Sequence, residues 1–194
     1  AAASNLGQML NRLCQADGIP LVNVVRRNEQ ADLLRAAGAD HVVVSSADSF
    51  ADDLTAAITA TGATLAFDAI GGGEQVDTLL ASMEKASSAG QAFSRYGSDT
   101  HKQVYIYGGL DRSVTTLRRT YGMSWGVGGW LLTPFLGRVG FERMAELQAR
   151  VAAEITTTFA SGYADTISLA DMLDPAVAKA YSAQATGEKH LVTP

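Results

Sequence analysis

The stretch AAASNLGQMLNRLCQADGIPLVNVVRR, residues 1–27, decides how the rest of the chain folds. A turn of small residues opens directly into a segment with Leu6, Met9, Leu10 and Leu13 at three- and four-residue spacing. Leu6 to about Ala16 is therefore predicted helical. Asp17-Gly18 ends the helix, with Gly18 suited to the left-handed closing position. Pro20 then starts LVNVV, Leu21 to Val25, a short apolar run that suits a strand buried on both faces. Arg26 and Arg27 stand at its tip with no acid beside them. Turn, helix, buried strand and charged tip make the later part of a βαβ unit, and the strand expected before the turn would precede Ala1.

The same rhythm continues outward. Asn28 is placed to cap a helix, EQADLLRAAG, closed by Gly38, and HVVVSS (His41 to Ser46) reads as a second buried strand. Phe50 to Gly62 is predicted helical, TLAFDAI (Thr64 to Ile70) a strand ending in Gly71-Gly72-Gly73, and Glu74 to about Lys85 a further helix. Ala86 to Lys102 is polar, glycine-containing and aperiodic, the pattern of a surface excursion. QVYIYGGL, Gln103 to Leu110, is a strand that again ends in two glycines. Strands alternating with helices imply parallel pairing through crossovers, hence a doubly wound α/β sheet lacking its first strand. Beyond Leu110 the pattern predicts a short helix over Arg112–Thr120, a strand within Ser124–Phe135 stopped by Pro134, and an amphipathic helix from Phe141 to about Ala160. The tail is predicted as a helix, Asp174 to Thr186, broken by Gly187, and a last strand, Lys189 to Thr193. The division expected is a domain over residues 1–162 and a tail over 163–194.

Composition narrows the class. The 194 residues are 47% hydrophobic and 18% charged, ordinary for a globular protein. A net charge of −5 with dispersed acids and bases argues against nucleic acid as a partner. The single cysteine, Cys14, excludes an internal disulfide framework and fits a reducing compartment, and no Cys-x-x-Cys or His-x-x-x-His pair suggests a metal. No run of about 18 apolar residues suggests a membrane span, and no leader pattern opens the chain. The expected location is the cytoplasm.

The turn at Ser4, Asn5, Leu6 and Gly7 lies where a glycine-rich phosphate loop belongs. Small side chains there would let backbone N–H groups and a helix N-terminus approach a pyrophosphate, although the full glycine pattern is absent. Arginine at the second strand's tip suits the 2′-phosphate of NADP, where an acid would suit the ribose hydroxyl of NAD. Arg26 follows Gly7 by nineteen positions, near the usual spacing of about 20 residues. Gly71-Gly72-Gly73 and Gly108-Gly109 follow strands on the same edge, where bare backbone would let a ribose or nicotinamide lie flat; plain turn geometry is the competing explanation. No catalytic constellation is visible. Ser94, Tyr96 and His101 share an exposed loop, Asp52-Asp53 suits a helix's polar face, and Cys14 suits a packed thiol.

On these residues the chain resembles the cofactor domain and C-terminal tail of the medium-chain dehydrogenase/reductase superfamily. It is most similar to the zinc-free NADPH:quinone oxidoreductases and the enoyl-thioester reductases. The segments that carry the resemblance are AAASNLGQ, VNVVRR, LLRAAGADHVV, FDAIGGG, YIYGGL, GGWLL and ATGEKHLVTP. The resemblance implies hydride transfer from NADPH to a quinone or similar small electron-poor acceptor. The alternatives are an enoyl-thioester reductase and a nucleotide-binding module without turnover. It implies that Ser4 to Gly7 hold the pyrophosphate and that Arg26 and Arg27 hold the 2′-phosphate. Ile70 and Gly71 would line the ribose and nicotinamide side, and Tyr107, Gly108 and Gly109 would border the cofactor. Gly129, Trp130 and Leu131 would pack near the carboxamide, and Lys189 would reach the cofactor from the tail. Ser4-Asn5, where many quinone reductases carry two glycines, leans towards the enoyl-reductase form. The resemblance also implies a separate catalytic domain, without which these residues would be inactive. A homodimer through the sheet edge near Ser124–Leu132 is expected as well.

Overall fold

The computed structural model describes residues 1–183 and 189–194. Ser4 caps helix α1 (Asn5–Ala16), its hydroxyl accepting from the Gly7 amide at 3.1 Å. Strand β1 (Val22–Val25) follows, then α2 (Asn28–Ala36) and β2 (His41–Val44). Arg27, not Asn28, is the cap of α2, and the Gln30 side chain accepts from the Arg26 and Arg27 amides at 3.1 and 3.2 Å. Helix α3 (Phe50–Thr61) closes on Gly62 in the left-handed region, and β3 (Leu65–Asp68) follows.

All strand pairings are parallel. β1 pairs with β2; β5 (Lys102–Ile106) lies between β3 and β7 (Trp125–Gly129). Alternate residues of β1 and β2 serve opposite faces. Val25 packs with Ala31, Leu34, Val42 and Val44 under α2, while Val24 and Val43 pack with Leu54 and Ile58 of α3. On the second face α3 lies against α4 (Gln75–Ser88), and Val76, Leu80, Met83, Val104 and Tyr121 complete that core. Helices therefore cover both faces of parallel strands, the Rossmann-like doubly wound arrangement. Among the described residues no ladder joins β1 to β3, and the shared core under α3 and α4 links the two strand groups.

Several expectations need correcting. Gly71–Gly73 forms a short strand, β4, rather than a simple turn. Its partner β6 (Asp111–Thr115) occupies residues predicted helical; the main chain of DRSVT finds an open strand edge, which a polar sequence without alternation does not announce. Lys102 belongs to β5 and is fully buried, so the surface excursion starts after Ser88 and stops before it. Pro134 does not stop a segment: it sits in the first turn of α5 (Leu132–Ala153), where its missing N–H costs nothing. That helix is two joined at Gly140, whose φ is +83°. It ends at Ala153, short of Ala160, and buries no residue, with Phe141 80% exposed.

In the tail, β8 (Asp165–Ser168) pairs with β9 (His190–Thr193) across α6 (Pro175–Ser182), which is capped by Asp174 with Pro175 at its first position. The predicted helix end at 184–186 and the break at Gly187 lie outside the described residues.

Candidate functional site

The predicted site residues gather on the carboxyl ends of the parallel strands, in three places. The first is the turn before α1. A side chain at Gly7 would run into the Ala2 carbonyl, so the turn itself needs glycine there. The Asn5 and Leu6 amides have no partner among the described residues, and the first turn of α1 holds no acid. The helix therefore presents unspent donors and a positive pole. The tail reaches this point: the Lys189 ammonium donates to the Ser161 hydroxyl, which donates to Asn5 Oδ1 at 3.0 Å. Lys189 also lies 4.4 Å above the Tyr163 ring. Arg12 fastens the segment before Ser161 by donating to the Thr158 and Ala160 carbonyls at 2.9 and 2.7 Å.

The second place is the tip of β1. Arg26 and Arg27 are exposed, and neither guanidinium joins an ion pair among the described residues. Ser46 donates to the Arg26 carbonyl at 2.6 Å and fixes the backbone below them.

The third place is a cavity of about 390 Å³ at the carboxyl ends of β5 and β7, bordered by Tyr107, Gly108, Gly129, Trp130 and Leu131. Trp130 is seated by its amide on the Ile106 carbonyl at 2.8 Å and by Phe67 and Phe135 at centroid distances of 6.2 and 5.7 Å. Beside the cavity the Asp68 carboxylate accepts from the Ile70 and Gly71 amides, both at 2.9 Å. A Cβ on Gly108 would lie 2.7 Å from the Ala69 carbonyl oxygen, and one on Gly71 2.9 Å from that of Gly108. The two glycine segments are pressed together, and this close approach is what requires Gly71 and Gly108. Gly109 and Gly129 face open space. Burial, with the Asp68 charge adding to it, pushes the Tyr107 phenol above its ordinary range.

The sequence reading missed two residues here. Asp68 is 4% exposed and builds the turn that carries Ile70 and Gly71. An acid at a strand end followed by small residues is the signal that could have found it. Arg138 of α5 lines the cavity with no acid paired to it among the described residues; its place follows from α5 starting at Leu132 and running through Pro134, where the sequence reading expected no helix before Phe141. Arg26, Arg27 and Lys189 do not line this cavity. Cations and free amides along one edge, with a cavity walled by Trp130 and Arg138 at its far end, suit an elongated anion with a flat ring. Among the described residues no group of three His, Cys, Asp or Glu side chains could hold a metal ion, and no helix is long and apolar enough to cross a membrane.

Residues 6–92, somewhat less than half of the chain, match the family model described as zinc-binding dehydrogenase. No curated protein matches the chain by sequence. In fold, the whole chain is similar to a candidate NADPH:quinone reductase from Mesorhizobium loti, with TM-score 0.77, 22% identity and 52% of that protein covered. It is similar over 100% of its length to a mycobacterial protein solved with NADPH (0.66, 21%, 55% of that chain). It matches a mutant enoyl thioester reductase from Candida tropicalis over 98% of its length (0.65, 16%, 51% of that chain). The likeness thus rests in sequence on residues 6–92, to the zinc-binding dehydrogenase model, and in fold on the whole chain, which spans about half the length of these solved proteins.

Proposed function

We propose that this chain, a Rossmann-like unit of the medium-chain dehydrogenase/reductase type, is the NADPH-binding part of an oxidoreductase that reduces a quinone or similar electron-poor acceptor. The observation that carries the reading is the string, along the strands' carboxyl edge, of cations that join no ion pair and amides that have no hydrogen-bond partner among the described residues. It starts from Arg26 and Arg27, passes the α1 N-terminus and ends at the cavity under Trp130.

The residues fit the cofactor by charge. In this reading the Asn5 and Leu6 amides and Gly7's close turn take the pyrophosphate, with Ser4 capping α1 and Lys189 supplying charge from the tail. Arg26 and Arg27 clamp the 2′-phosphate with charge-assisted hydrogen bonds. Ile70, Gly71, Tyr107, Gly108 and Gly109 shape the path of the ribose. Gly129, Trp130 and Leu131 hold the carboxamide side and exclude water from it. The bound nicotinamide supplies the hydride, and the protein binds and orients it.

Residues 1–162 form the cofactor domain in this reading, and 163–194 form a tail that docks on further structure supplying the acceptor pocket. Turnover then needs more than these 194 residues, and robust NADPH-dependent reduction by them alone would contradict it. Reduction of a 2-enoyl thioester is the second reading, favoured by Ser4-Asn5 in the turn. Joining the chain to the rest of its enzyme and comparing quinone with enoyl-thioester turnover separates the two. Dimerisation through β7, an outer strand flanked by the exposed Leu131 and Leu132, belongs to the same proposal. Sedimentation showing only monomer at micromolar concentration would remove it.

A further inference from the structure

The strands β5 and β7 carry a cavity at each end. The one at their amino ends, about 610 Å³, is the larger, and no part of the reading above uses it. It lies between the loop after α4 and residues 116–124, which lead into β7. Five residues of strand, about 16 Å, separate it from the cavity under Trp130.

Its walls are built rather than loose. Glu84 lies in its floor, accepting from the Ser98 amide and hydroxyl, both at 2.8 Å, from Ser88 at 2.6 Å and from the buried Lys102 ammonium at 2.6 Å. Gly97 and Gly122 meet so closely that a side chain on either would strike the facing backbone. The Met123 amide donates to the Tyr96 carbonyl at 3.0 Å. Trp125, packed edge-on to Tyr121, donates from Nε1 to the Gly122 carbonyl at 3.1 Å and supports the wall from behind.

The lining has a definite chemistry. Glu84 is its one acid, and Lys102 neutralises it. What remains is the charge of Arg95 and Arg119, neither ion-paired among the described residues. Arg119 holds a left-handed backbone, φ +60°, the only positive φ among described non-glycine residues. A strained non-glycine residue in a cavity wall is a feature that structure retains at a cost. Phe93 and Met123, 95% and 76% exposed, offer apolar surface at the rim, and Arg95 stacks over Tyr96 at 5.5 Å. A cavity of this size, with mixed polar and apolar walls and few charged groups, suits a small ligand.

We propose that this amino-end cavity is a second ligand site, for a small anion carrying a flat aromatic body, held by Arg95 and Arg119 against Phe93 and Met123. Trp130 lines one cavity, and Trp125 stands behind the wall of the other, bonded to the Gly122 carbonyl, so the protein labelled with 5-fluorotryptophan reports them separately. Assignment comes from the signal lost in Trp130→Phe. Phenyl phosphate is expected to shift the Trp125 resonance saturably at millimolar concentration and to leave Trp130 unmoved. Arg95→Ala with Arg119→Ala should weaken that binding about tenfold or more. The absence of a saturable Trp125 shift overturns the site. So does equal binding by phenol, which lacks the anion, or by inorganic phosphate, which lacks the ring. An NADPH titration that moves neither signal bears on the cofactor reading alone.

Discussion

The two ends of β5 and β7 are made differently. The carboxyl end is shaped by backbone: Gly71 and Gly108 press against facing carbonyls with no room for side chains, and the Asp68 carboxylate ties down the Ile70 and Gly71 amides. The amino end is shaped by side chains, with Glu84, Ser98 and Lys102 closing a buried network under two loops. Backbone-built edges announce themselves as glycines after apolar runs. A side-chain network joins residues 84, 98 and 102, and nothing in a sequence pattern connects them.

The largest predicted effect falls on the amino end. Lys102→Met leaves Glu84 buried without its cation and should cost about 3–5 kcal/mol in denaturant unfolding, with NADPH binding by the folded fraction unchanged. Equal losses at both ends would break the contrast. Acid sharpens it. Burial alone would raise the Glu84 carboxyl, but hydrogen bonds from Lys102, Ser88 and Ser98 outweigh that and hold it at about 2, below its ordinary 4.5. Between these values the unfolded chain binds the extra proton, so stability rises with pH there and is lost as pH falls through about 2. Glu84→Gln should flatten this part of a pH–stability curve, and an unchanged curve would remove the network from the account.

At the carboxyl end the order reverses, with binding moving more than stability. Arg26→Ala with Arg27→Ala should cost NADPH affinity about 1.5–3 kcal/mol by fluorescence titration while melting stays put. Gly108→Ala forces a methyl against the Ala69 carbonyl and should cost about 1–3 kcal/mol of stability as well as affinity. The smallest effect is Ser161→Ala. It releases the link from Lys189 to Asn5 at the turn before α1 and should weaken NADPH binding by about 1 kcal/mol, with calorimetry as the check.

Much of the fold was legible because LVNVV, HVVV and LAFD are apolar runs bounded by turn residues, and their spacing to helices allows only parallel crossovers. The strand Asp111–Thr115 was not, since its partner is the glycine run of β4, bonded through main chain and through Thr115 Oγ1 to the Gly71 carbonyl at 2.5 Å. Pro134 reads as a stop and Phe141 as a helix start, yet Pro134 sits in the first turn of α5, where an N–H is dispensable, and Gly140 joins two helical segments. Arg26, Arg27 and the glycine pairs could be picked out because charge and bare backbone at strand tips are local signals. Asp68 could have been picked out the same way. Arg138 and the Lys189–Ser161–Asn5 link depend on how distant segments meet.

The central claim is that this edge holds NADPH through its 2′-phosphate. Parallel fluorescence titrations of NADPH and NADH test it most directly, on the unaltered chain and on Arg26→Ala with Arg27→Ala. NADPH should bind about tenfold or more tightly than NADH, and the double substitution should erase the difference. Equal affinities in the unaltered chain, or a preference that survives the loss of both arginines, would contradict the account.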